Sequence, residues 1–146
     1  ARENIDLKRK KTFHKNIFFK EFLPYKKIKN LMNSMDILIL PYEKEISAAG
    51  NFGNIAQYTS PMKLFDYLGS TKPIIASSLP VLKEILVEKK NCIFIKDLNV
   101  YKWKLIINKL SHNHQLRKII SKNNFFLSKN YTYKKRVQKM FSDLDI

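Results

Sequence analysis

The sequence predicts an α/β domain of three layers (α/β/α), in which a parallel β-sheet lies between two layers of helices. Short apolar runs alternate along the chain with segments whose apolar residues recur every three or four positions, and this is the pattern of strands that alternate with helices. The runs at 36–41 and 72–76 are apolar almost throughout, as strands are when helices cover both faces of a parallel sheet. Right-handed crossovers are then expected between successive strands.

Residues 16–146 are predicted to form this one domain, and the basic stretch at 1–15 is expected to be a solvated lead-in or the remnant of a truncated element. The segment 42–59 has no regular period, and a loop of this length within a compact domain is usually functional. The predicted strands are 16–20, 36–41, 72–76 and 92–95, and the predicted helices are 25–34, 60–69, 79–87, 101–110, 114–129 and 131–144.

The helix at 60–69 has clear signals at both ends. Ser60 is a common N-cap residue, Pro61 suits the first helical position, and Gly69 is predicted to end the helix. A rotation of about 100° per residue divides its side chains between two arcs. The arc expected in the core is Leu64, Phe65 and Leu68, and the opposite arc is Lys63, Asp66 and Tyr67.

Lys63 is a cation in the first turn of this helix, where the helix dipole disfavours positive charge by roughly 0.3–1 kcal/mol. Two explanations are open. Lys63 could form an (i, i+3) ion pair with Asp66, which is worth about 0.2–0.5 kcal/mol. Alternatively, Lys63 and the helix N-terminus bind an anion together, because parallel α/β folds bind ligands outside the carboxyl ends of their strands and phosphates bind at helix N-termini.

Composition excludes several classes of protein. Cys92 is the single cysteine, which excludes an internal disulfide and a thiolate metal cluster, and His14, His112 and His114 are too scattered for a metal site. No apolar stretch approaches the roughly 20 residues of a transmembrane helix, and a cytoplasmic protein is expected. The net charge of +16, from 28 Lys and Arg against 12 Asp and Glu, is compatible with a polyanionic or phosphate-bearing partner. The abundance of Lys, Asn and Ile together also indicates biased codon usage, so charge alone does not decide the partner.

The stretch SPMKLFDYLGSTKPIIASSLPVLKEIL at 60–86 resembles the signature region of the group 1 (family 4) retaining glycosyltransferases. Many members of that family read close to Ser-Pro-x-Lys-x-x-Glu-Tyr-x-Ala-x-Gly-Lys-Pro-Ile-Ile-Ala-Ser. The segments FKEFLPYKKIKNLMNSMDILILPY, KNCIFIKD and NYTYKKRVQKMFSDL are similar too, so the resemblance covers nearly the whole chain, 16–146. It implies a Rossmann-like fold, one half of a two-domain GT-B glycosyltransferase, and specifically the C-terminal half that binds the nucleotide-sugar donor.

The resemblance implies a role for each residue that matches the family pattern. Asp66 stands where the family has an acidic residue that accepts hydrogen bonds from the ribose hydroxyls, and Tyr25 lies in the segment that flanks the base. The implied diphosphate position is formed by Lys63 and the backbone around Ser60, Met62 and Leu64. The implied substrate is a nucleotide-diphosphate sugar with UDP or GDP as the nucleotide, and no cofactor or metal is implied.

The sequence departs from the family pattern at its acidic pair, Glu-x7-Glu, because Tyr58 stands eight positions before Asp66. Glu43 and Glu45 of the long loop are candidates for the missing catalytic carboxylate, and solvated loop charges are the alternative explanation. The family's opening strand and its N-terminal acceptor domain have no counterpart in the sequence. We therefore expect this chain to bind a nucleotide but not to turn over alone.

Alternative functions stay open from the sequence. A basic, non-catalytic module could bind nucleic acid or an anionic membrane surface, and a sugar-nucleotide epimerase of the GT-B fold would also bind a nucleotide. Nucleic acid is the less favoured partner, because the sequence has no recognition motif and Phe18, Phe65 and Phe94 fall at core-facing spacing. For the glycosyltransferase, cell-surface polysaccharide assembly is the expected context, with a peripheral position on the inner face of the membrane.

Overall fold

The computed structural model describes residues 16–43 and 62–143. Within these ranges helices and strands alternate, as the sequence predicts. The helices are α1 Tyr25–Asn33, α2 Met62–Ser70, α3 Pro80–Lys83, α4 Val100–His112, α5 His114–Ser128 and α6 Tyr133–Ser142, and the strands are β1 Leu38–Leu40, β2 Ile74–Ser77 and β3 Cys92–Ile95. The predicted lead-in at 1–15 and most of the predicted loop at 42–59 lie outside the described residues.

The described strands form a parallel sheet in the order β1-β2-β3. Ile74 of the central strand is in register with Leu38 on one side and with Cys92 on the other. Parallel neighbours need a crossover connection, and helices α2 and α3 lie within the two crossovers. Every residue of β2 is buried, as its continuous apolar run predicts.

The hydrophobic core has two parts, because successive side chains of a strand point to opposite faces of the sheet. Ile74 of β2 points to one face and Ile75 to the other, and both are fully buried. The first cluster includes Leu64 and Leu68 of α2, Ala76 of β2 and Leu82 of α3. The second cluster includes Trp103 and Leu110 of α4 and Ile120 of α5. Helices cover both faces, which confirms the predicted three-layer α/β fold.

The three carboxyl-terminal helices are found where the sequence predicts them, and they share one kind of N-cap. Asn99, Asn113 and Thr132 precede α4, α5 and α6, and each side-chain oxygen accepts a hydrogen bond from the backbone N–H three residues further on. Asn113 alone separates α4 from α5, and these two helices pack against each other. Local sequence therefore sets the starts of these helices.

The prediction of a strand at 16–20 is wrong. Residues 16–24 have no helix or strand beyond a turn at Asn16, and Phe18, which was expected in the core, is 79% exposed. Phe65 and Phe94 are partly buried, and Phe94 packs against the first core cluster. A strand needs a hydrogen-bonded neighbour and a covered face, and within the described ranges β1 pairs with β2 alone. Among the described strands none pairs with residues 16–20, and the side chains of Ile17, Phe18 and Phe19 are exposed.

The predicted end of α2 at Gly69 is also wrong. The helix continues through Gly69 and ends at Ser70. Thr71 ends it by taking the left-handed conformation, with φ of 59°, and its N–H donates a 3.0 Å hydrogen bond to the carbonyl of Leu68. The proposed start at Ser60 and Pro61 lies outside the described residues, and Met62 is the first helical residue described.

The helix predicted at 79–87 is shorter than expected, because α3 ends at Lys83. The chain must turn back to enter β3, and a tight turn at Lys89, with φ of 58°, accomplishes this. The Lys89 N–H donates to the Cys92 carbonyl at 2.8 Å, and the Glu88 carboxylate accepts from the Phe94 N–H at 2.7 Å. These contacts, which span three and six residues, form a turn at the end of the range where the sequence predicted helix.

Candidate functional site

The carboxyl ends of β1 and β2 lie at one edge of the sheet, where parallel α/β folds bind their ligands. The backbone N–H of Tyr42, two residues beyond β1, donates a 2.8 Å hydrogen bond to Oγ of Ser77, the last residue of β2. This bond ties the two strand ends together. Helix α2 leads into the amino end of β2, so its own N-terminus lies on the carboxyl side of the sheet.

Two of the residues predicted to bind the donor are in direct contact. Tyr25 is the first residue of α1, Asp66 lies in the middle of α2, and the Tyr25 hydroxyl donates a 2.8 Å hydrogen bond to Oδ1 of Asp66. Packing of α1 against α2 brings together these residues, which are 41 positions apart. Asp66 is partly exposed and Tyr25 is 69% exposed, so a ligand from solvent can reach the pair.

The two tyrosines of this region have raised pKa values for different reasons. The hydrogen bond to Asp66 raises the pKa of Tyr25, and the carboxylate charge raises it further. The Tyr25 phenol therefore stays protonated at neutral pH and remains a donor. Burial is the main cause of the raised pKa of Tyr67, whose hydroxyl donates to the Ile39 carbonyl at 3.4 Å. Tyr67 thus faces β1 instead of sharing the solvent-facing side of α2 with Lys63.

The (i, i+3) ion pair between Lys63 and Asp66 is not formed. Within the described part of the chain, the carboxylate of Asp66 is hydrogen-bonded to the neutral Tyr25 phenol, and the salt bridge found there joins Lys102 to Asp97 at 2.6 Å. Lys63 is exposed in the first turn of α2. The first of the two explanations for this lysine is therefore wrong, and its charge stays at the helix N-terminus.

The other predicted site residues differ in what they can offer a ligand. Met62 is 66% exposed at the start of α2, whereas the Leu64 side chain is fully buried in the core, so Leu64 can contribute its backbone alone. Glu43 is exposed one residue beyond Tyr42. Ser60, Tyr58 and Glu45 lie outside the described residues, and their predicted roles stay predictions.

A family comparison agrees with the resemblance carried by 60–86. The family model described as "Glycosyl transferases group 1" matches residues 2–125. The chain belongs to the group 1 glycosyl transferases. The matched range includes every described strand and the residues Tyr25, Lys63 and Asp66. A search of curated protein sequences gave no significant match.

The fold of this glycosyl transferase chain is similar to a crystal structure of Alr3699/HepE from Anabaena, which was solved in complex with UDP-glucose. The superposition has a TM-score of 0.72 at 15% sequence identity. It covers 99% of this chain and 36% of the HepE chain, so this chain spans just over a third of the length of that structure. The likeness at this identity concerns the fold, and it confirms the Rossmann-like α/β class.

An open cleft of about 380 Å³ lies at the opposite edge of this glycosyl transferase chain. Asp36 precedes β1 and Lys72 precedes β2, which places the cleft at the amino ends of the strands. Its lining residues are Asp36, Lys72, Pro73, His114, Arg117, Lys118 and Ser121. None of the predicted donor-binding residues lines it, so this cleft is separate from the site at Tyr25 and Asp66.

Sequence reasoning missed two contacts of the candidate site. The Ser77 hydroxyl that accepts from Tyr42 is the serine of the Ile-Ile-Ala-Ser stretch, and that position in the quoted family pattern was a signal that could have drawn attention to it. The hydrogen bond between Tyr25 and Asp66 had no comparable signal. It depends on how α1 packs on α2, which no local pattern encodes.

The described residues were also searched for metal sites and for membrane-spanning helices. No group of three or more His, Cys, Asp or Glu side chains is placed there to hold a metal ion. In the same ranges, no helix is both long enough and apolar enough to cross a membrane. Cys92 is buried in β3, and burial raises the pKa of its thiol.

Proposed function

We propose that this chain binds a nucleotide-diphosphate sugar at Tyr25 and Asp66, as the C-terminal, donor-binding half of a retaining GT-B hexosyltransferase. The contact between Tyr25 and Asp66 carries the proposal. The resemblance assigns Tyr25 to the base and Asp66 to the ribose. A single nucleotide can reach both side chains because they are adjacent. Membership of the group 1 glycosyl transferases supports the same assignment.

Each part of the donor has a partner in this proposal. Asp66 accepts hydrogen bonds from the ribose hydroxyls, and the exposed Tyr25 ring offers the base an apolar face. Lys63 and the backbone N–H groups at the start of α2 bind the diphosphate, and they stabilise the negative charge that grows as it leaves. Ser60, Met62 and the backbone of Leu64 are the further residues proposed for this role.

The activity of the intact enzyme follows from this donor site. A glycosyl group passes from the nucleotide to an acceptor hydroxyl with retention of configuration, and an N-terminal domain of the same enzyme supplies the acceptor site. Glu43 and Glu45 are the candidates for the carboxylate whose family position is taken by Tyr58. No cofactor is needed for this step. We expect the chain alone to bind the donor without turnover. The intact enzyme is proposed to act in the cytoplasm, in the assembly of a cell-surface polysaccharide.

Nucleotide binding tests the proposal directly. Ligand-observed NMR would compare UDP, GDP and ADP, with UDP offered first because the HepE structure contains UDP-glucose. We expect one diphosphate to bind selectively. Asp66→Ala should weaken it by about tenfold or more, because hydrogen bonds to a charged group are worth roughly 1.5–3 kcal/mol.

Asp36→Ala is the matched control, since it removes an aspartate from the cleft at the other edge of the sheet. It should leave nucleotide binding unchanged. A folded chain that binds none of the three diphosphates contradicts the proposal for this chain. Equal losses in both variants would contradict the assignment of Asp66.

A membrane partner is favoured by the terminal helix α6, whose ten residues are all exposed. Its apolar side chains fall on an arc of about 100°, and cations flank that arc and occupy the opposite side. The apolar arc is Tyr133, Val137, Met140 and Phe141, and the cations are Lys134, Lys135, Arg136 and Lys139. The helix contains no acidic residue.

An amphipathic helix with a cationic polar face and aromatic residues on its apolar face is suited to lie in the interface of an anionic membrane. The charge complementarity with acidic lipids makes such a surface the proposed partner of α6. The enzyme would then be held at the inner face of the membrane. Nucleic acid is less favoured, since the aromatic residues of α6 lie on one apolar arc and do not form a stacking platform along a groove.

A further inference from the structure

The hydrogen bond between Tyr25 and Asp66 joins two helices, and Tyr25 is the first residue of α1. Pro24, with φ of −55°, is the N-cap residue of α1. Its carbonyl accepts hydrogen bonds from the N–H groups of Lys27 at 2.8 Å and Ile28 at 3.2 Å. Because the proline ring restricts φ, the backbone that carries Tyr25 is stiff. The phenol therefore reaches Asp66 from a helix and not from a loop.

The bond leaves most of the Asp66 carboxylate available. A carboxylate has about four lone-pair sites on its two oxygens, and the phenol uses one of them, on Oδ1. Within the described residues no other group bonds to this side chain, and Asp66 is partly exposed. The phenol is neutral, so it orients the carboxylate without cancelling its charge. A lysine partner would have oriented the carboxylate but would also have cancelled its charge.

We infer that Tyr25 is a positioning residue, whose hydroxyl holds the Asp66 carboxylate in the orientation that accepts the ribose hydroxyls of the donor. The inference rests on the proposed function of this site. Asp66 is one methylene shorter than the glutamate of the family pattern, so its carboxylate has less reach and its orientation matters more. Without the phenol, the Asp66 carboxylate must be ordered when the nucleotide binds, and the entropy lost in that ordering lowers the affinity.

Binding of ribonucleotides and deoxyribonucleotides separates this role from a merely structural one. The dissociation constants of UDP and GDP, each beside its 2′-deoxy form, would be measured for the wild type and for Tyr25→Phe. The phenylalanine keeps the ring and removes the hydroxyl alone. We expect ribonucleotide affinity to fall by about three- to tenfold and deoxyribonucleotide affinity to change by less than about twofold. Tyr101→Phe, an exposed tyrosine of α4, is the matched control and should change neither.

A double variant tests whether Tyr25 acts through Asp66. If it does, adding Tyr25→Phe to Asp66→Asn should cause no further loss, because the carboxylate that the phenol positions is already gone. Additive losses would overturn the inference. Thermal unfolding of each variant would show that binding changes do not come from loss of the fold, since the hydrogen bond lies at the surface.

The remaining outcomes are also decisive. Equal weakening of ribonucleotide and deoxyribonucleotide by Tyr25→Phe would overturn the inference, and so would tighter ribonucleotide binding, which would mean that the phenol blocks Asp66. An unchanged preference in Tyr25→Phe overturns the role of Tyr25 and leaves the donor site intact. If the wild type binds no nucleotide, or binds one without preferring the ribonucleotide, the proposed role of Asp66 fails first and the inference fails with it.

Discussion

Asp66 shows at the scale of single residues how a side chain's partner can differ from the one nearest in sequence. Lys63 is one helical turn away, yet the carboxylate bonds to Tyr25, 41 positions distant. The (i, i+3) pair contributes little at an exposed site, and the carboxylate forms a charge-assisted hydrogen bond with the phenol instead. The sequence identified both Asp66 and Tyr25 as candidates through a family motif. It could not pair them, because the pairing is a product of helix packing.

Cys92 leads to a prediction about pH. Its thiol is fully buried in β3, and desolvation is the main cause of its raised pKa, with the charge of Glu88 second. The folded state therefore keeps the proton when the unfolded state has lost it. Stability is complete below the unfolded thiol pKa of roughly 8.5 and falls as pH rises above it, by about 1.4 kcal/mol at pH 9.5.

Urea unfolding at pH 7.5 and pH 9.5 measures this loss. Cys92→Ala should be less stable at both values, because it leaves a small cavity, but its additional loss at pH 9.5 should be smaller than that of the wild type. The same loss between the two pH values in both proteins would show that other groups cause it.

Secondary-structure elements end where the tertiary structure requires, and α2 and α3 are the clearest cases. Gly69 looked like a helix end, yet the left-handed residue is Thr71, which the chain needs in order to enter β2. Helix α3 stops early because the turn at Lys89 must deliver β3 alongside β2. By contrast, the sequence predicted the starts of α4, α5 and α6 to within about two residues, and each helix begins at a local N-cap.

The proposed binding of helix α6 to an anionic membrane can be tested with lipid vesicles. Co-sedimentation with vesicles of phosphatidylcholine and phosphatidylserine should show binding that weakens as salt rises. The double variant Lys135→Glu/Lys139→Glu should weaken binding by about tenfold or more, because each basic residue near an anionic surface contributes roughly 1 kcal/mol.

The matched control is Lys104→Glu/Lys109→Glu, which makes the same change in net charge with two exposed lysines of α4. It should weaken vesicle binding much less. Equal losses in the two double variants would mean that the overall charge of +16, and not α6, attracts the vesicles. Val137→Ser/Phe141→Ser should also reduce binding, and an unchanged affinity would argue against insertion of the apolar arc.

At the scale of the whole molecule, β2 couples the two halves of the core. It is the described strand with neighbours on both sides, and its side chains reach both faces of the sheet. Ile74 packs in the first cluster and Ile75 in the second, so neither cluster is complete without this strand. We therefore expect the two faces to unfold together.

Ile74→Ala tests this coupling. The substitution removes a fully buried side chain and should lower the free energy of unfolding by roughly 2–5 kcal/mol. Trp103, the single tryptophan, lies in the second cluster, on the other face of the sheet. Its fluorescence should nevertheless shift to the same lower urea midpoint as the far-ultraviolet circular dichroism.

Val100→Ala, at a residue that is 81% exposed, is the control and should change stability by less than about 0.5 kcal/mol. A Trp103 transition that keeps the wild-type midpoint in Ile74→Ala would mean that the two faces unfold separately. The sheet would then not act as one unit.

The sequence by itself determined the three-layer α/β class, the order of the described strands and helices, the approximate positions of α4, α5 and α6, and the family. Hydrophobic periodicity, caps and motifs are local, so they can be recognised without a structure. The tertiary structure alone decided that the apolar run at 16–20 forms no strand, that α3 stops at Lys83, and that Tyr25 bonds to Asp66. The first and the third depend on whether a partner distant along the chain is in reach, which is settled only when the elements pack, and the second depends on the turn at Lys89 that leads into β3.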